Sequence, residues 1–167
     1  MRKVFQKVVD KEHGDCMQAV IASLFELPLE DVPQFIEMKD RWFSAMYRFV
    51  EERGAEYHGM KMNKNYTTLW HPTDQCFKKE KFHRRSVMTK KCLYKEKGIN
   101  GLFHASVLSP KYFNFYSGQT ATHAVIIDRD YKVVHDPNPE YQNIIKYPLT
   151  TLLGYNGIID VFLLNSI

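Results

Sequence analysis

The order of hydrophobic patterns along the chain constrains its fold more than any other feature. Two helical patterns come first, from Asp15 to a stop near Pro28 and from Asp40 to Arg53. Segments rich in β-branched and apolar residues come later, and no helical pattern separates them. Helices early and strands late, without βαβ alternation, predict an α+β fold in which a buried N-terminal helix packs on an antiparallel sheet.

The two helices differ in the pattern of their apolar residues. The first carries a pattern typical of a capping box, because Gln18 follows Asp15 by three residues. Its body is almost wholly apolar, which predicts a buried helix. The second has its apolar residues on one stripe and Gly54 at its end, which predicts an amphipathic helix with one buried face.

Four segments of the second half have the composition of strands. They span 102–109, 122–128, 131–136 and 157–164. Arg129 and Asp130 stand between the second and the third of these segments, which predicts a hairpin with a two-residue turn. The second half of the chain therefore predicts most of the sheet.

The length of 167 residues suits one domain, and we expect a single domain over 1–167. No apolar run approaches the roughly 20 residues that span a bilayer, and the N-terminus carries no signal-peptide pattern. These features predict a cytoplasmic protein, in a bacterial or a host cell, with no membrane partner. The three cysteines are an odd number, so a disulfide framework is not expected.

Cys16 is the cysteine best placed for chemistry. It follows Asp15 in the first turn of the predicted helix, where unpaired N–H groups and the helix dipole favour a negatively charged thiolate. Cys76 and Cys92 have no such helix behind them, and we expect them to be bystanders. The same position equally suits a small buried cysteine without reactivity, so position alone leaves both interpretations open.

The predicted hairpin supplies a base for such a nucleophile. With a turn at 129–130, position 123 pairs directly with position 136, so the His123 imidazole and the Asp136 carboxylate become cross-strand neighbours. A carboxylate that holds one imidazole nitrogen leaves the other free for the cysteine, which predicts a Cys-His-Asp triad. His135 points to the opposite face by strand alternation, and together with His104 it is a weaker base candidate.

Two sequence blocks resemble those of papain-like cysteine peptidases. GDCMQAVIASLFELPLEDVP is similar to the nucleophile helix of that superfamily, and THAVIIDRDYKVVHDPNP is similar to its His-then-Asp hairpin. The second block resembles the bacteriocin-processing branch and small phage and bacterial proteins of the superfamily. The order Cys, His, Asp is that of papain. The resemblance implies a papain-like fold with Cys16 as nucleophile, His123 as base and acid, and Asp136 as the residue that orients the imidazole.

The resemblance also implies an oxyanion hole, since family members place a glutamine shortly before the nucleophile. Gln6 is the matching residue, although it precedes Cys16 by ten residues and so needs a longer loop than usual. A polar residue on an N-terminal strand is the plain alternative for Gln6. Asn138 is a second candidate for orienting the imidazole, because papain itself uses an asparagine.

The positive charge of the chain is concentrated in residues 78–97, which hold nine Lys and Arg against two Glu. This basic segment is predicted to be an insertion or flap, and a solvated face is the plain interpretation of it. It also suits an acidic partner, with Arg84, Lys90 and Lys91 as candidate contacts. No nucleic-acid-binding motif accompanies the segment, so a nucleic-acid partner is not expected.

A zinc site is a competing interpretation of four other residues, whose side chains are of the types that zinc accepts. These residues are His71, Cys76, His83 and Cys92. Their spacing, H-x4-C-x6-H-x8-C, differs from the short ligand pairs of structural zinc sites. We therefore expect no metal and no cofactor.

Together these features predict a thiol-dependent hydrolase that cleaves a peptide, isopeptide or other amide bond through a thioester. Its partner is then a protein, a peptide or another amide substrate. Acyl transfer and deamidation use the same triad, so the triad does not choose among these reactions. The alternative is a non-catalytic papain-like module of phage type that blocks a host factor, because fold alone does not determine function.

Overall fold

The computed structural model describes residues 1–10, 13–61, 66–71, 76–81, 97–114, 119–130, 132–141 and 158–166. Within these ranges the chain forms an α+β fold in which N-terminal helices pack against an antiparallel sheet. The predicted fold class is confirmed at this level. Among the described residues, no helix is both long and apolar enough to cross a membrane.

Two α-helices form the N-terminal layer: α1, Cys16–Phe25, and α2, Trp42–Glu51. Shorter 3₁₀ turns lie at Leu29–Asp31, Phe35–Arg41 and Pro139–Tyr141. α1 ends where Glu26 takes a left-handed conformation, and the N–H of Leu27 then donates to the carbonyl oxygen of Ala22 at 2.9 Å. The predicted stop of this helix before Pro28 is confirmed.

The core lies between these helices and the sheet. From Ala19 to Leu24 every side chain of α1 is at most 2 % exposed, so this helix is buried as its sequence predicts. α2 buries Met46, Phe49 and Val50 and leaves its other side exposed, which confirms the predicted stripe. Within the helical layer, α1 is therefore buried and α2 has one buried and one exposed side.

Seven strands follow within the part of the chain that the structure describes. They are β1 (Ala55–Lys61), β2 (Tyr66–His71), β3 (Cys76–Lys81), β4 (Phe103–Asn114), β5 (Gln119–Ile127), β6 (Val133–His135) and β7 (Ile158–Ser166). Five of them form one antiparallel sheet in the order β1-β7-β4-β5-β6, whereas β2 and β3 pair only with each other. α1 packs on β5 and α2 packs on β1, so the helices cover two separate parts of the sheet.

The four strands predicted in the second half are confirmed as β4 to β7, with shifted boundaries. The sequence patterns did not predict β1, β2 and β3. β3 has the sequence CFKKEK, in which four charged residues leave no alternating apolar face. Its pairing with β2, rather than its own composition, defines it as a strand.

The capping box predicted at the start of α1 is wrong. Asp15 is the N-cap residue, but its side chain makes no hydrogen bond to the helix N-terminus. Gln18 is also engaged elsewhere, because its Nε2 donates to the carbonyl oxygens of Leu29 and Val32 at 2.8 and 2.6 Å. Long-range partners thus replace the local ones that the Asp-x-x-Gln spacing predicts.

The basic segment 78–97 falls mostly outside the described residues. Positions 78–81 belong to β3 and Lys97 is exposed, whereas Arg84, Lys90 and Lys91 lie outside the described ranges. The prediction of an insertion or flap therefore stays a prediction, as does that of a single domain over 1–167.

Candidate active site

The turn between β5 and β6 is one residue longer than the sequence predicts. The N–H of Asp128 donates to the carbonyl oxygen of Lys132 at 2.9 Å, so three residues instead of two lie between the paired positions. The Asp128 carboxylate fixes this wider turn, because its Oδ1 accepts the N–H groups of Asp130 and Lys132 at 2.8 and 3.0 Å. The two-residue turn predicted at 129–130 is therefore wrong.

A bulge on β6 shifts the register by one residue more. Two neighbouring residues of β5 pair with residues of β6 that are two apart, Val133 and His135. The direct pairing predicted for positions 123 and 136 is therefore wrong by two residues. Because side chains alternate with a period of two, this shift leaves Asp136 diagonal to His123 on the same face.

The His123 imidazole and the Asp136 carboxylate are in direct contact. Nε2 of His123 lies 2.7 Å from Oδ1 of Asp136, and the two residues are only 6 % and 0 % exposed. The same carboxylate oxygen accepts the backbone N–H of Asn138 at 2.8 Å, which fixes its orientation. Because an ionised carboxylate only accepts hydrogen bonds, Nε2 carries a proton.

Cys16 completes the arrangement on the other side of the ring. It is the first residue of α1, it is a half-buried free cysteine, and its side chain lies near enough to His123 to raise the pKa of the imidazole. Since Nε2 faces Asp136, Nδ1 is the ring nitrogen left for the sulfur. The packing of α1 on β5 brings sulfur, imidazole and carboxylate together in that order.

The charge state of His123 follows from its two neighbours. Burial of the ring favours the neutral form, but the charge and hydrogen bond of Asp136, together with the Cys16 sulfur, outweigh burial and raise the pKa of His123 to about 10. At neutral pH the ring is therefore an imidazolium. A protonated ring in this position is able to give its proton to a leaving group.

Asn138 supports the carboxylate through its backbone. Its side-chain Oδ1 accepts the N–H of Glu140 at 2.9 Å, and its own carbonyl oxygen accepts the N–H of Tyr141 at 3.1 Å. The ring of Tyr141 packs edge-on against the His123 imidazole, with 5.6 Å between ring centroids. The hydrogen bond that orients the imidazole comes from Asp136, and Asn138 shapes the turn that holds that carboxylate.

Gln6 lies beside the same turn. Its backbone N–H donates to the carbonyl oxygen of Pro137 at 3.0 Å, and its side-chain Nε2 donates to the carbonyl oxygen of Val8 at 2.8 Å. Val8 in turn contacts Asp15, because the N–H of Asp15 donates to the Val8 carbonyl oxygen at 3.3 Å. The buried Gln6 side chain is thus connected to the residue that directly precedes Cys16.

The long spacing between Gln6 and Cys16 forms a loop whose two ends meet at Val8 and Asp15. Gly14 permits the tight return, since a Cβ at this position would lie 2.6 Å from the carbonyl oxygen of Asp10. Despite the extra residues, Gln6 therefore stays connected to Asp15 through the Val8 carbonyl oxygen.

The two weaker base candidates lie elsewhere. His104 pairs with Ile126 in the β4–β5 register, three residues from His123 and so on the opposite face, and burial lowers its pKa to about 3. Nε2 of His135 bonds the carbonyl oxygen of Val4 at 2.8 Å, and burial lowers the pKa of this ring. Both rings are therefore neutral at pH 7.

The remaining candidates are placed only in part. His71 and Cys76 are register partners on β2 and β3, whereas His83 and Cys92 lie outside the described residues. Within the described ranges, no cluster of three or more His, Cys, Asp or Glu could hold a metal ion. A zinc site across all four residues stays an untested alternative.

Sequence patterns did not indicate the contacts of Asp15 and Tyr141 with the rest of the site. Both depend on residues distant in the chain, since Asp15 meets Lys7 and Val8, and Tyr141 meets His123. No local spacing signals such pairs. The sequence does single out Asp15, but its capping pattern predicts that the side chain bonds the start of α1.

Comparisons of the chain with protein-family models, with curated proteins and with solved structures found no match. The function is therefore inferred from the residues of the site and their geometry.

Proposed function

We propose that the protein is a thiol-dependent hydrolase of papain-like type that cleaves an amide bond through a thioester. One observation carries this proposal: a buried imidazole that contacts the Asp136 carboxylate also lies beside the cysteine that begins α1, near enough for the cysteine to raise the pKa of the ring. A histidine held by a carboxylate on one nitrogen and facing a thiol with the other is the arrangement that nucleophilic thiol catalysis requires.

In the proposed acylation step, the Cys16 thiolate attacks the carbonyl carbon of the substrate amide. The tetrahedral intermediate collapses when the C–N bond breaks, and the His123 imidazolium gives its proton to the leaving amine. The raised pKa of His123 ensures that this proton is present at neutral pH. Asp136 keeps the ring in the required orientation throughout.

In the deacylation step, His123 takes a proton from water, and the resulting hydroxide attacks the thioester carbonyl. Collapse of the second intermediate releases the carboxylic acid and returns the Cys16 thiolate. The donors proposed for the oxyanion of both intermediates are the backbone N–H of Cys16 and the Gln6 carboxamide. As the first helical residue, Cys16 has an N–H without a partner inside its helix.

The proposed substrate is a peptide, isopeptide or other amide, and an acidic partner is proposed for the basic segment 78–97. The papain-like fold itself belongs to this proposal, which the α+β arrangement of helices and antiparallel sheet supports. Localisation in the cytoplasm of a bacterial or host cell is part of the same proposal.

An acylating probe tests this function. Wild-type protein is treated with p-nitrophenyl acetate, and release of nitrophenol is followed together with the intact mass. We expect acetylation at Cys16 followed by slow hydrolysis, and no acetylation of that residue's peptide in Cys16→Ala. Acetylation of Cys16 that is no faster than that of Cys76 or Cys92 would favour the non-catalytic binding module. Addition of an amine nucleophile then separates hydrolysis from acyl transfer.

A further inference from the structure

The N-terminal segment is attached to α1 and its caps at Asp15, Ser23 and Glu26, and only the Asp15 attachment is next to the nucleophile. Near Cys16, the Asp15 carboxylate accepts the N–H of Lys7 through Oδ2 and the N–H of Val8 through Oδ1, both at 2.9 Å. Two turns further along the helix, Ser23 Oγ accepts the N–H of Val4 at 2.9 Å. The first attachment uses a charged group that is only 4 % exposed.

The Asp15 attachment fixes the Gln6 side chain. The carboxylate holds the backbone of Lys7 and Val8, and the Val8 carbonyl oxygen accepts Gln6 Nε2 at 2.8 Å. A carbonyl oxygen only accepts hydrogen bonds, so the nitrogen of the carboxamide must face it. One N–H of the Gln6 carboxamide is thereby used, and Nε2 carries a second N–H that the proposed oxyanion hole would use.

We infer that Asp15 is a positioning residue for the oxyanion hole: its carboxylate clamps Lys7 and Val8 so that the Gln6 carboxamide is held at the nucleophile. The inference depends on the proposed function, because it needs an oxyanion to form at Cys16. An oxyanion donor is effective only when it is held in place before the reaction. A buried charged acceptor with two N–H donors is a stronger clamp than a neutral one.

Asp15→Asn is the sharpest variant, because it keeps the shape of the side chain. One carboxylate oxygen becomes an amino group that faces a backbone N–H, so one of the two clamp bonds is lost. Ser23→Ala is the matched control, since it also releases the N-terminal segment from α1 but does so away from Cys16. Both variants lower stability, and only the first is expected to disturb the oxyanion hole.

Two reagents distinguish a defect in the oxyanion hole from a general loss of structure. Acetylation of Cys16 by p-nitrophenyl acetate passes through an oxyanion, whereas alkylation by iodoacetamide is a displacement at saturated carbon and does not. We expect Asp15→Asn to lower the acetylation rate about tenfold, a part of the roughly 10²–10³ that a whole oxyanion donor contributes. Alkylation should not slow, because the variant removes a negative charge next to the thiolate. Ser23→Ala should leave the ratio of the two rates unchanged.

A double-mutant cycle with Gln6→Ala completes the test. If Asp15 acts through Gln6, Asp15→Asn lowers the ratio of acetylation to alkylation in wild type but not in the Gln6→Ala background. The inference alone is overturned if Asp15→Asn lowers the ratio of acetylation to alkylation equally in both backgrounds. It is also overturned if Gln6→Ala lowers this ratio whereas Asp15→Asn leaves it unchanged. Failure of wild-type Cys16 to react with the ester faster than Cys76 or Cys92 overturns the proposed function instead.

Discussion

His123 and His104 lie on neighbouring strands and face opposite sides of the sheet, and both are buried. Burial favours the neutral ring in both, yet the pKa of His104 falls to about 3 whereas that of His123 rises to about 10. The difference comes from the Asp136 carboxylate, which lies 2.7 Å from the His123 ring, and from the Cys16 sulfur, because both raise the pKa of His123. The buried histidine on one face of the sheet is therefore neutral at pH 7, whereas the buried histidine on the other face is protonated.

Substitution of each histidine in turn is expected to give the largest contrast in the acetylation rate of Cys16. His123→Ala should lower the acetylation rate of Cys16 by roughly 10³-fold or more, since the members of a triad act as a unit. His104→Leu should leave the rate per folded molecule unchanged while it alters stability. The rates are measured with p-nitrophenyl acetate, after circular dichroism has given the folded fraction of each variant. If both variants lost the same fraction of the acetylation rate, His123 and His104 would not differ in their roles.

Asp136→Asn tests what makes the two histidines different. The amide cannot supply the negative charge, so the ring loses the stronger of its favourable interactions and its orientation is weakened. We expect the acetylation rate to fall by about 10²–10⁴-fold. Asn138→Ala is the milder comparison, because Asn138 supports the carboxylate mainly through a backbone N–H that alanine retains. An Asp136→Asn variant with wild-type rate would remove the carboxylate from the mechanism.

The pH dependence of stability should reveal both rings, with opposite signs. His123 binds its proton more tightly in the folded state, so its contribution is complete below the unfolded pKa near 6.5 and is lost as pH rises towards about 10. His104 must stay neutral in the folded state, so stability is lost as pH falls from about 6.5 towards about 3.

Urea unfolding at a series of pH values measures these two contributions. His123→Gln should flatten the alkaline side of the profile and leave the acid side in place, whereas His104→Leu should do the reverse. If one variant changed the acid and the alkaline sides of the profile equally, the substituted histidine would not be the source of the pH dependence on either side.

The smallest effect is expected for the basic segment 78–97. Reversal of charge at Arg84, Lys90 and Lys91 should weaken binding of an acidic peptide substrate several-fold at low salt, and the difference should vanish at high salt. The rate with the small uncharged ester should not change. Affinity that is independent of these substitutions and of salt would make the segment a solvated face.

The sequence predicted the two α-helices, four of the seven described strands and the proximity of His123 to Asp136, because each of these depends on periodicity or on short spacing. It failed where contacts are distant or compositions are atypical. The Asp15 carboxylate was assigned to the helix cap, but Lys7 and Val8 compete for it. Two errors in the hairpin, a longer turn and a bulge, shifted the register by an even number and so preserved the face of Asp136.

The reactivity of Cys16 tests the central claim most directly. Wild type and His123→Ala are treated with limiting iodoacetamide across neutral pH, and mass spectrometry measures alkylation at each of the three cysteines. If the imidazolium favours the thiolate, Cys16 reacts faster than Cys76 and Cys92 near pH 7, and its advantage is lost in His123→Ala. A Cys16 that reacts no faster than the other two, or as fast without His123 as with it, would contradict the account.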